Sequence, residues 1–311
     1  MNDRELAIGF DTSNYTTSCA VFDGCDGNNS SRMLDVPEGA LGIRQSEALF
    51  QHVKRLPEVF TVLDITTGAR VLAVGASETP REIEGSYMPC FLAGASHAMV
   101  LAKGMGVPYY GFSHQQGHVA AAAWSSGRED VLSKKLLCWH LSGGTTELLL
   151  IRPDGVSFTC SVIGGTSDVS AGQLLDRTGS MLGMEFPSGA RLDKIASDIS
   201  KGTKYEPKMS GMCFSLSGAE HKMKAMIEAG TPAGEVAYFA LLAICCAVTK
   251  ATLAAKKQYG NLPVLYSGGV ASSRFMRQRI TEGIFARPEY STDNAIGIAI
   301  LTYLAVRSNG R

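Results

Sequence analysis

The order of apolar and polar positions along the chain predicts alternating strands and helices. Apolar runs with the length of strands recur at residues 6–10, 17–22, 71–75, 107–112, 136–141, 147–151 and 262–267. Apolar side chains spaced near the helical repeat recur at residues 45–63, 91–103 and 236–256. Such an alternation is typical of α/β proteins, in which helices cover the faces of a sheet.

Two further stretches complete this prediction. Residues 169 to about 227 are predicted to be helix-rich, with a break at 186–189, where proline and glycine interrupt a helix. The last element is predicted to be a helix from Asp293 to Val306, with the Asp293 carboxylate as its cap.

Composition sets the scale of the fold. The chain has 311 residues, of which 45% are hydrophobic and 34 are glycine, so it is long enough for two lobes with separate cores. We expect an N-terminal lobe over 1–127 and a C-terminal lobe over 128–292, with a helical insertion at about 169–230. A terminal helix over 293–311 is expected to pack back on the first lobe.

Charge and cysteine content limit which partners and which cellular compartment are expected. The 29 basic and 29 acidic residues cancel, so a nucleic-acid partner would need a local basic patch or another subunit. Eight cysteines without repeated spacing and a polar N-terminus favour the reducing cytoplasm. The apolar stretch 236–248 is shorter than the roughly 20 residues of a membrane span, so no transmembrane segment is predicted.

Two histidines four positions apart carry the most specific chemistry. His114 and His118 follow the predicted strand 107–112, and on a helix they would project from one face about one turn apart. Both ring nitrogens could then reach one cation, with the distant Asp293 supplying a carboxylate. This spacing predicts a mononuclear metal centre, while two hydrogen-bonded or solvated imidazoles are the alternative.

Three polar loops follow predicted strands and are candidates for phosphate binding. They contain Asp11, Thr12, Ser13 and Asn14; Ser142, Gly143, Gly144 and Thr145; and Gly268 and Gly269. Backbone amides at such turns can donate to phosphate oxygens, and small side chains allow close approach. For each loop taken singly, a plain turn is the alternative. No Walker-type Gly-Lys-Thr element occurs, so a P-loop enzyme is not expected.

With these motifs in order, the sequence resembles the TsaD/Kae/Gcp family, the tRNA threonylcarbamoyl transferases once described as O-sialoglycoprotein endopeptidases. Besides the histidine pair and Ser-Thr-Asp-Asn-Ala at 291–295, the resemblance covers residues 141–148, 172–177, 186–189, 214–218 and 267–271. It implies an α/β fold of the actin-like, sugar-kinase-like (ASKHA) class. Such a fold has two ribonuclease-H-type lobes with a nucleotide cleft between them.

The resemblance also implies an activity and its ligands. A threonylcarbamoyl group would pass from threonylcarbamoyl-AMP to the N6 amine of the adenosine next to the anticodon in tRNA. One divalent metal, iron or zinc, would be held by His114, His118 and Asp293, and ATP, ADP or threonylcarbamoyl-AMP would be the nucleotide ligand. The loops at 11–14 and 142–146 would face phosphates. The adenosine and ribose would lie near a set of residues in the second lobe: Asp176, Gly189, Asp193, Gly268, Gly269 and Ser273. TsaB-like and TsaE-like proteins are possible partners.

His140 refines this implied metal site. It lies two residues before Ser142, where some family members carry a tyrosine that approaches the metal. We predict His140 as a possible fourth ligand, because a neutral imidazole suits zinc or ferrous iron. A hydrogen-bonded core histidine is the alternative.

The chain departs from the family pattern at four places that concern substrate handling more than the metal ligands. It has one acid, Asp168, where a pair is usual, Ser272-Ser273 in place of Ala-Asn, Glu220 in place of lysine, and Gln116 where an acid is common. The change at 220 reverses a local charge. These departures are compatible with a divergent paralogue.

Four other functions are weighed against the tRNA transferase. A divergent carbamoyltransferase could use the same site for another acceptor, and a nucleotide-binding scaffold could pair with a relative without catalysis. A sugar or acetate kinase is less favoured, because an imidazole pair prefers a softer metal than magnesium. A zincin-type peptidase is disfavoured because Gln115 occupies the position of the catalytic glutamate.

Overall fold

The computed structural model describes residues 4–13, 15–36, 43–65, 68–155, 157–199 and 205–309. Asn14, one of the predicted phosphate-facing residues, therefore lies outside the described residues. The chain divides into two compact units. Unit 1 comprises residues 1–134, 152–160 and 293–311, and unit 2 comprises residues 135–151 and 161–292.

Strands and helices alternate along the described residues. The strands are β1 (Glu5–Ser13), β2 (Thr16–Phe22), β3 (Gly27–Met33), β4 (Arg70–Thr79), β5 (Tyr109–Ser113), β6 (Leu136–Leu141), β7 (Thr146–Asp154), β8 (Ser157–Thr166), β9 (Lys208–Ser210), β10 (Cys213–Ser215), β11 (Val264–Ser267) and β12 (Ile284–Phe285). The helices are α1 (Gln45–Thr61), α2 (Phe91–Met105), α3 (His114–Ser125), α4 (Ala171–Met181), α5 (Gly189–Ala196), α6 (Ser217–Glu228), α7 (Ala233–Tyr259), α8 (Arg274–Arg279) and α9 (Ile296–Asn309). Each apolar run and helical repeat predicted from the sequence overlaps an element of the predicted type.

Unit 1 is built on a five-stranded mixed sheet in the order β3-β2-β1-β4-β5. β1, β2 and β3 pair antiparallel, whereas β1–β4 and β4–β5 pair parallel. The strand β1 is buried on both faces, because α1 and α2 cover one side and α9 covers the other. The parallel strands β1 and β5 therefore end at the same edge of the sheet, next to the start of α3.

Helices α3 and α9 cross at two glycines, Gly117 and Gly297. A Cβ atom added to Gly297 would lie 1.8 Å from the Gly117 carbonyl oxygen, so only glycine permits this approach. The close crossing holds the segment before α9 against the face of α3 that carries the histidines.

The predicted C-terminal helix begins later than expected. It starts at Ile296 rather than Asp293, and the side chain of Asn294 accepts a hydrogen bond from the Ile296 amide at 3.2 Å. Asp293 does not cap the helix, because its carboxylate accepts a hydrogen bond from the Ser13 hydroxyl at 3.1 Å. The predicted turn at 11–14 also differs, since β1 continues through Ser13, which pairs with Thr16.

Unit 2 is built on a seven-stranded sheet in the order β12-β11-β6-β7-β8-β10-β9. β6 and β7 pair antiparallel, while β6–β11 and β11–β12 pair parallel. The run β8-β7-β6-β11-β12 therefore repeats the strand order of unit 1. The segment predicted as helix-rich holds α4, α5 and α6, but it also contains the short strands β9 and β10, which extend the sheet beyond β8.

Helix α7 forms the centre of the unit 2 core. Among the described residues it is the one helix long and apolar enough to cross a bilayer, yet 72% of its most apolar window is buried inside the protein. Its buried side chains contact those of α4, α5 and α6 and the sheet. This burial is that of a core helix.

Candidate metal centre

The two histidines lie at the start of α3, where β5 passes directly into the helix. Ser113 caps this helix: its hydroxyl accepts from the Gln116 amide, and the Gln116 side chain accepts from the Ser113 amide. The cap fixes the first turn, so His114 and His118 project from the same face. Their Nε2 atoms lie 2.9 Å apart.

Asp293 joins the histidines from the segment before α9. Its Oδ1 lies 3.3 Å from Nε2 of His118 and 3.6 Å from Nε2 of His114. Its other oxygen, Oδ2, accepts from the Ser13 hydroxyl, which fixes the carboxylate. Each of the three side chains offers one ligand atom, and these atoms lie within 4.8 Å of one another. The structure thus brings together three residues that span 180 positions of the sequence.

Asp11 supports this cluster from the end of β1. Its Oδ2 lies 2.7 Å from Nδ1 of His114, and its Oδ1 accepts from the Ser13 amide at 3.1 Å. Asp11 is almost completely buried. A carboxylate on Nδ1 holds a proton there and leaves the Nε2 lone pair free toward a metal, as in many metal sites with histidine ligands. The sequence singled out Asp11 for phosphate, not for His114. The contact between Asp11 and His114 could have been predicted only from the sheet order, because β1 and β5 end at the same edge of one sheet.

The charges around the histidines favour a cation. Burial by itself lowers the pKa of His114, but the carboxylates of Asp11 and Asp293 outweigh burial and raise it to about 9. Burial also disfavours the ionised form of Asp293. A hydrogen bond from His118 and the nearby imidazole charges nevertheless hold the pKa of Asp293 well below its usual range. Two imidazoles and one carboxylate are a donor set that suits Zn²⁺ or Fe²⁺, so the residues fit one divalent ion.

Thr12 and His52 line the buried side of this edge. The Thr12 hydroxyl donates to the Cys90 carbonyl oxygen at 2.9 Å and accepts from the Gly94 amide at 3.1 Å. The Thr12 side chain is fully buried and holds the start of α2 against β1. Nδ1 of His52 lies 2.8 Å from the Thr17 hydroxyl, and burial is the main cause that lowers the pKa of His52 to about 4.

In unit 2, the loop at Ser142–Thr145 is held by the start of α4. The Ser142 amide donates to the Thr145 carbonyl oxygen at 2.8 Å, and the Ser170 hydroxyl donates to the Gly143 carbonyl oxygen at 2.6 Å. A Cβ atom on Gly143 or Gly144 would meet no atom within 4 Å. These glycines therefore present open backbone, as a phosphate-binding turn requires.

The other predicted nucleotide residues lie on neighbouring elements of unit 2. The Asp176 carboxylate accepts from the Ser188 amide at 2.9 Å, which ties α4 to the residue before Gly189. Asp193 and Ser273 are brought into direct contact, since the Ser273 hydroxyl donates to the Asp193 carboxylate. A Cβ atom on Gly269 would meet no atom within 4 Å, so this turn is also open.

His140 lies near the end of β6 in unit 2. In the sheet it pairs with Glu147 of β7 and Ser267 of β11. Among the described residues, the cluster that could hold a metal contains His114, His118 and Asp293. A fourth ligand at His140 stays a prediction.

Comparison with known proteins decides the family. A family model described as "TsaD: tRNA N6-adenosine threonylcarbamoyltransferase" matches residues 47–300, which is most of the chain. The chain belongs to the TsaD family. The family resemblance drawn from the motifs is therefore confirmed, and TsaD proteins are enzymes.

Curated TsaD relatives match over most of the chain. Two proteins named tRNA N6-adenosine threonylcarbamoyltransferase, from two strains of Thermus thermophilus, are 28% identical over 272 residues. These alignments cover 84% of this chain and 80% and 79% of the two relatives. A protein of the same name from Chlorobium chlorochromatii is 28% identical over 68% of this chain and 68% of its own length.

Solved structures confirm the fold class. Component A of the Acidaminococcus fermentans (R)-2-hydroxyglutaryl-CoA dehydratase aligns with a TM-score of 0.55 at 13% identity, covering 97% of this chain and 99% of that one. Full-length HypF aligns with a TM-score of 0.59 at 13% identity, over 97% of this chain and 55% of that one. The ROK hexokinase of Thermus thermophilus aligns with a TM-score of 0.50 at 14% identity, over 97% and 99%. These similarities show the actin-like, sugar-kinase-like fold.

Two departures from the TsaD pattern have a structural account. The side-chain nitrogen Nε2 of Gln116 donates to the Phe158 carbonyl oxygen at 2.7 Å, so the side chain at this position must be a hydrogen-bond donor, which an acid is not when ionised. Both oxygens of Glu220 lie 3.0 Å from an Arg177 nitrogen, so the reversed charge is paired on the surface of unit 2.

Proposed function

We propose that this protein transfers a threonylcarbamoyl group from threonylcarbamoyl-AMP to the N6 amine of the adenosine next to the anticodon in tRNA. The proposal depends on one divalent metal, iron or zinc, held by His114, His118 and Asp293. The observation that carries it is the convergence of these three ligand atoms within 4.8 Å in a chain of the TsaD family.

Residues next to the three ligands would fix the tautomer and the orientation that metal binding requires. Asp11 holds a proton on Nδ1 of His114, which leaves Nε2 as the donor atom. Ser13 orients the Asp293 carboxylate through its hydroxyl and contacts Asp11 through its amide, so one residue fixes both acids. A bound metal would supply Lewis acidity to the oxygens of the mixed anhydride.

The reaction itself needs no nucleophile from the protein. The adenosine N6 forms a bond to the carbamoyl carbon, the bond from that carbon to the phosphate oxygen breaks, and AMP leaves with the electron pair. The N6 amine loses one proton to solvent or to the departing phosphate. Since the amine is a weak nucleophile, the rate should depend on positioning and on stabilisation of the developing charge.

Unit 2 would bind the nucleotide through backbone rather than through a Walker-type lysine. Gly143, Gly144 and Gly269 are positions where a side chain would fill open space, so an adenylate could approach the chain closely there. Asp176 and Gly189 would lie beside the adenosine.

The acceptor is proposed to be tRNA, and the curated relatives carry this acceptor in their names. Because the net charge of the chain is zero, phosphate contacts would need help from partner subunits, such as TsaB-like and TsaE-like proteins. We place the reaction in the cytoplasm. A silent scaffold is disfavoured, because it would have no use for three converging ligands.

A reconstitution experiment tests the proposal. The purified protein, threonylcarbamoyl-AMP, tRNA transcripts and partner subunits should yield the modified nucleoside in digested tRNA, measured by mass spectrometry. Metal content should be close to one ion per chain. The variant His118→Ala should lose both metal and activity, whereas His97→Ala on α2 should keep both, since His97 contacts the Ala93 carbonyl oxygen outside the cluster.

The controls separate the parts of the proposal. A competent relative must modify the same tRNA under the same conditions. If that relative works, and the chain binds metal but modifies no tRNA, the acceptor is wrong and another acceptor must be sought. If the chain binds neither zinc nor iron, the metal site itself is refuted.

A further inference from the structure

Residues 80–90 connect β4 to α2, and both ends of this loop lie against the first turn of α3. At one end, the Gln115 amide donates to the Pro80 carbonyl oxygen at 3.1 Å, directly after His114. At the other end, the ring of Phe91, the first residue of α2, lies 5.9 Å from the His114 ring, measured between centroids. The loop at 80–90 therefore borders the metal centre.

The middle of this loop is held in a turn by its own hydrogen bonds. The Ser86 amide donates to the Ile83 carbonyl oxygen at 2.9 Å, and the Arg81 amide donates to the Ser86 hydroxyl oxygen at 3.2 Å. Gly85 has a φ angle of +79°, a left-handed conformation that glycine adopts without strain. These contacts fix the backbone that carries Ile83 and, directly after the turn, Tyr87.

The turn leaves both of these apolar side chains in solvent. Tyr87 is 63% exposed and Ile83 is 54% exposed, whereas Cys90 and Phe91, which follow them, are buried. Single exposed apolar side chains are ordinary, but two that flank one fixed turn form a small apolar patch, which we call the Tyr87 patch. An aromatic face on a fixed backbone beside a reaction centre is suited to a flat ligand.

The charge of the loop favours contact with a base over contact with a phosphate. Residues 80–90 contain two acids, Glu82 and Glu84, and one base, Arg81. RNA phosphates are bound by basic side chains, so a loop with a net negative charge does not attract the RNA backbone. The faces of the nucleobases carry no net charge and stack on aromatic rings. The Tyr87 patch therefore fits an unpaired base.

We propose that an unpaired base of the tRNA anticodon loop stacks on Tyr87. This inference rests on the proposed function, because the acceptor adenosine must bring its N6 amine to the metal centre that the loop borders. Bases in a single-stranded RNA loop can be splayed out and held on aromatic side chains. Tyr87 then contributes to tRNA binding through stacking and not through charge.

Equilibrium binding of tRNA to the zinc-loaded chain with its partner subunits tests this assignment. Tyr87→Ala should weaken tRNA binding by about 5–150-fold, the range for loss of one base stacked on an aromatic ring. Tyr87→Phe keeps the ring and should bind tRNA within about twofold of wild type. The matched control Leu253→Ala removes a side chain of similar exposure, 61%, from α7 in unit 2 and should leave tRNA affinity unchanged.

Three readouts distinguish stacking from other roles. The slope of log affinity against log salt concentration should be the same in Tyr87→Ala and wild type, because stacking releases no counterions from phosphates. Amide hydrogen exchange at residues 81–88 should slow when tRNA is added, and it should not slow with partner subunits alone. Zinc affinity of Tyr87→Ala should equal that of wild type, since removal of an exposed ring leaves the three ligands in place.

The outcomes separate this inference from the proposed function. Unchanged tRNA affinity in Tyr87→Ala would overturn the inference, and the proposed function would stand if the wild type still modifies tRNA. A shallower salt dependence in Tyr87→Ala would assign the ring to a phosphate contact, and slowed exchange with partner subunits alone would assign the patch to a protein interface; either result overturns the inference. If the wild type neither binds nor modifies tRNA under conditions where a competent relative does, the proposed acceptor and this inference fail together.

Discussion

The variant Asp11→Asn tests whether Asp11 sets the tautomer of the metal ligand His114, because it replaces one side-chain oxygen by nitrogen without changing the shape of the side chain. In the wild type, Oδ1 of Asp11 accepts from the Ser13 amide and Oδ2 faces Nδ1 of His114. The asparagine oxygen must occupy the Oδ1 position to keep the Ser13 bond. Its NH2 group then points at Nδ1 of His114.

This arrangement reverses the tautomer of His114. An NH2 donor facing Nδ1 requires that nitrogen to accept, so the proton moves to Nε2 and blocks the ligand atom. Loss of such a supporting partner weakens metal affinity by about 10–100-fold, or roughly 1.4–2.7 kcal/mol. Because Asp11 is almost completely buried, water cannot replace it, and we expect the upper end of that range.

Competition against a chelator with known zinc affinity measures the change. Asp293→Asn should lose more affinity than Asp11→Asn, because it alters a ligand itself. Asp130→Asn, an exposed acid paired with Arg128, should bind zinc as wild type does. Zinc affinity of Asp11→Asn within about twofold of wild type, far short of the loss expected for a supporting partner, would refute the idea that Asp11 sets the tautomer.

Three further predictions concern stability and can be measured by urea denaturation. Gly297→Ala, whose Cβ would lie 1.8 Å from a carbonyl oxygen of α3, should lower the free energy of unfolding by about 1–3 kcal/mol or more. Its control is Gly104→Ala, in an open helical position, which should leave the free energy of unfolding unchanged or raise it by up to about 1 kcal/mol. Gln116→Glu should lose about 1–3 kcal/mol, because it sets a buried carboxylate against the Phe158 carbonyl oxygen. Burial lowers the pKa of His52 from 6.5 to about 4. Between these pH values His52 is protonated in the unfolded chain but not in the folded protein. The free energy of unfolding should therefore fall as pH drops from about 6.5 to about 4, by at most about 3 kcal/mol, and His52→Gln should reduce this slope.

Each of these stability predictions has a contradicting result. Equal stability of the two glycine variants would mean that α3 and α9 separate easily. A stable Gln116→Glu protein would mean that the Phe158 contact is replaceable by water. An unchanged pH slope in His52→Gln would assign the acid sensitivity to other groups.

Local sequence patterns were sufficient to predict the strands and helices that bury apolar side chains. The runs that became β1, β4 and β6 and the repeats that became α1, α2 and α7 are visible because burial on a sheet or helix face imposes a period on the sequence. By contrast, β3 is the polar segment Gly27–Met33, and it forms a strand because β2 offers it backbone partners. Such an edge strand has no apolar period to detect.

The sequence by itself determined the spacing of His114 and His118 on one helix, the glycine-rich segments that follow β6 and β11, and the family, because these depend on residues close together in the chain. Only the tertiary structure decided that Asp11 contacts His114, that Ser13 orients Asp293, and that Asp193 holds the start of α8. Those contacts join residues 80–280 positions apart, and their partners are selected by which strand and helix ends meet in space. Local propensity carries no information about that meeting, since a carboxylate in a polar loop is equally compatible with a phosphate turn, a helix cap or a histidine.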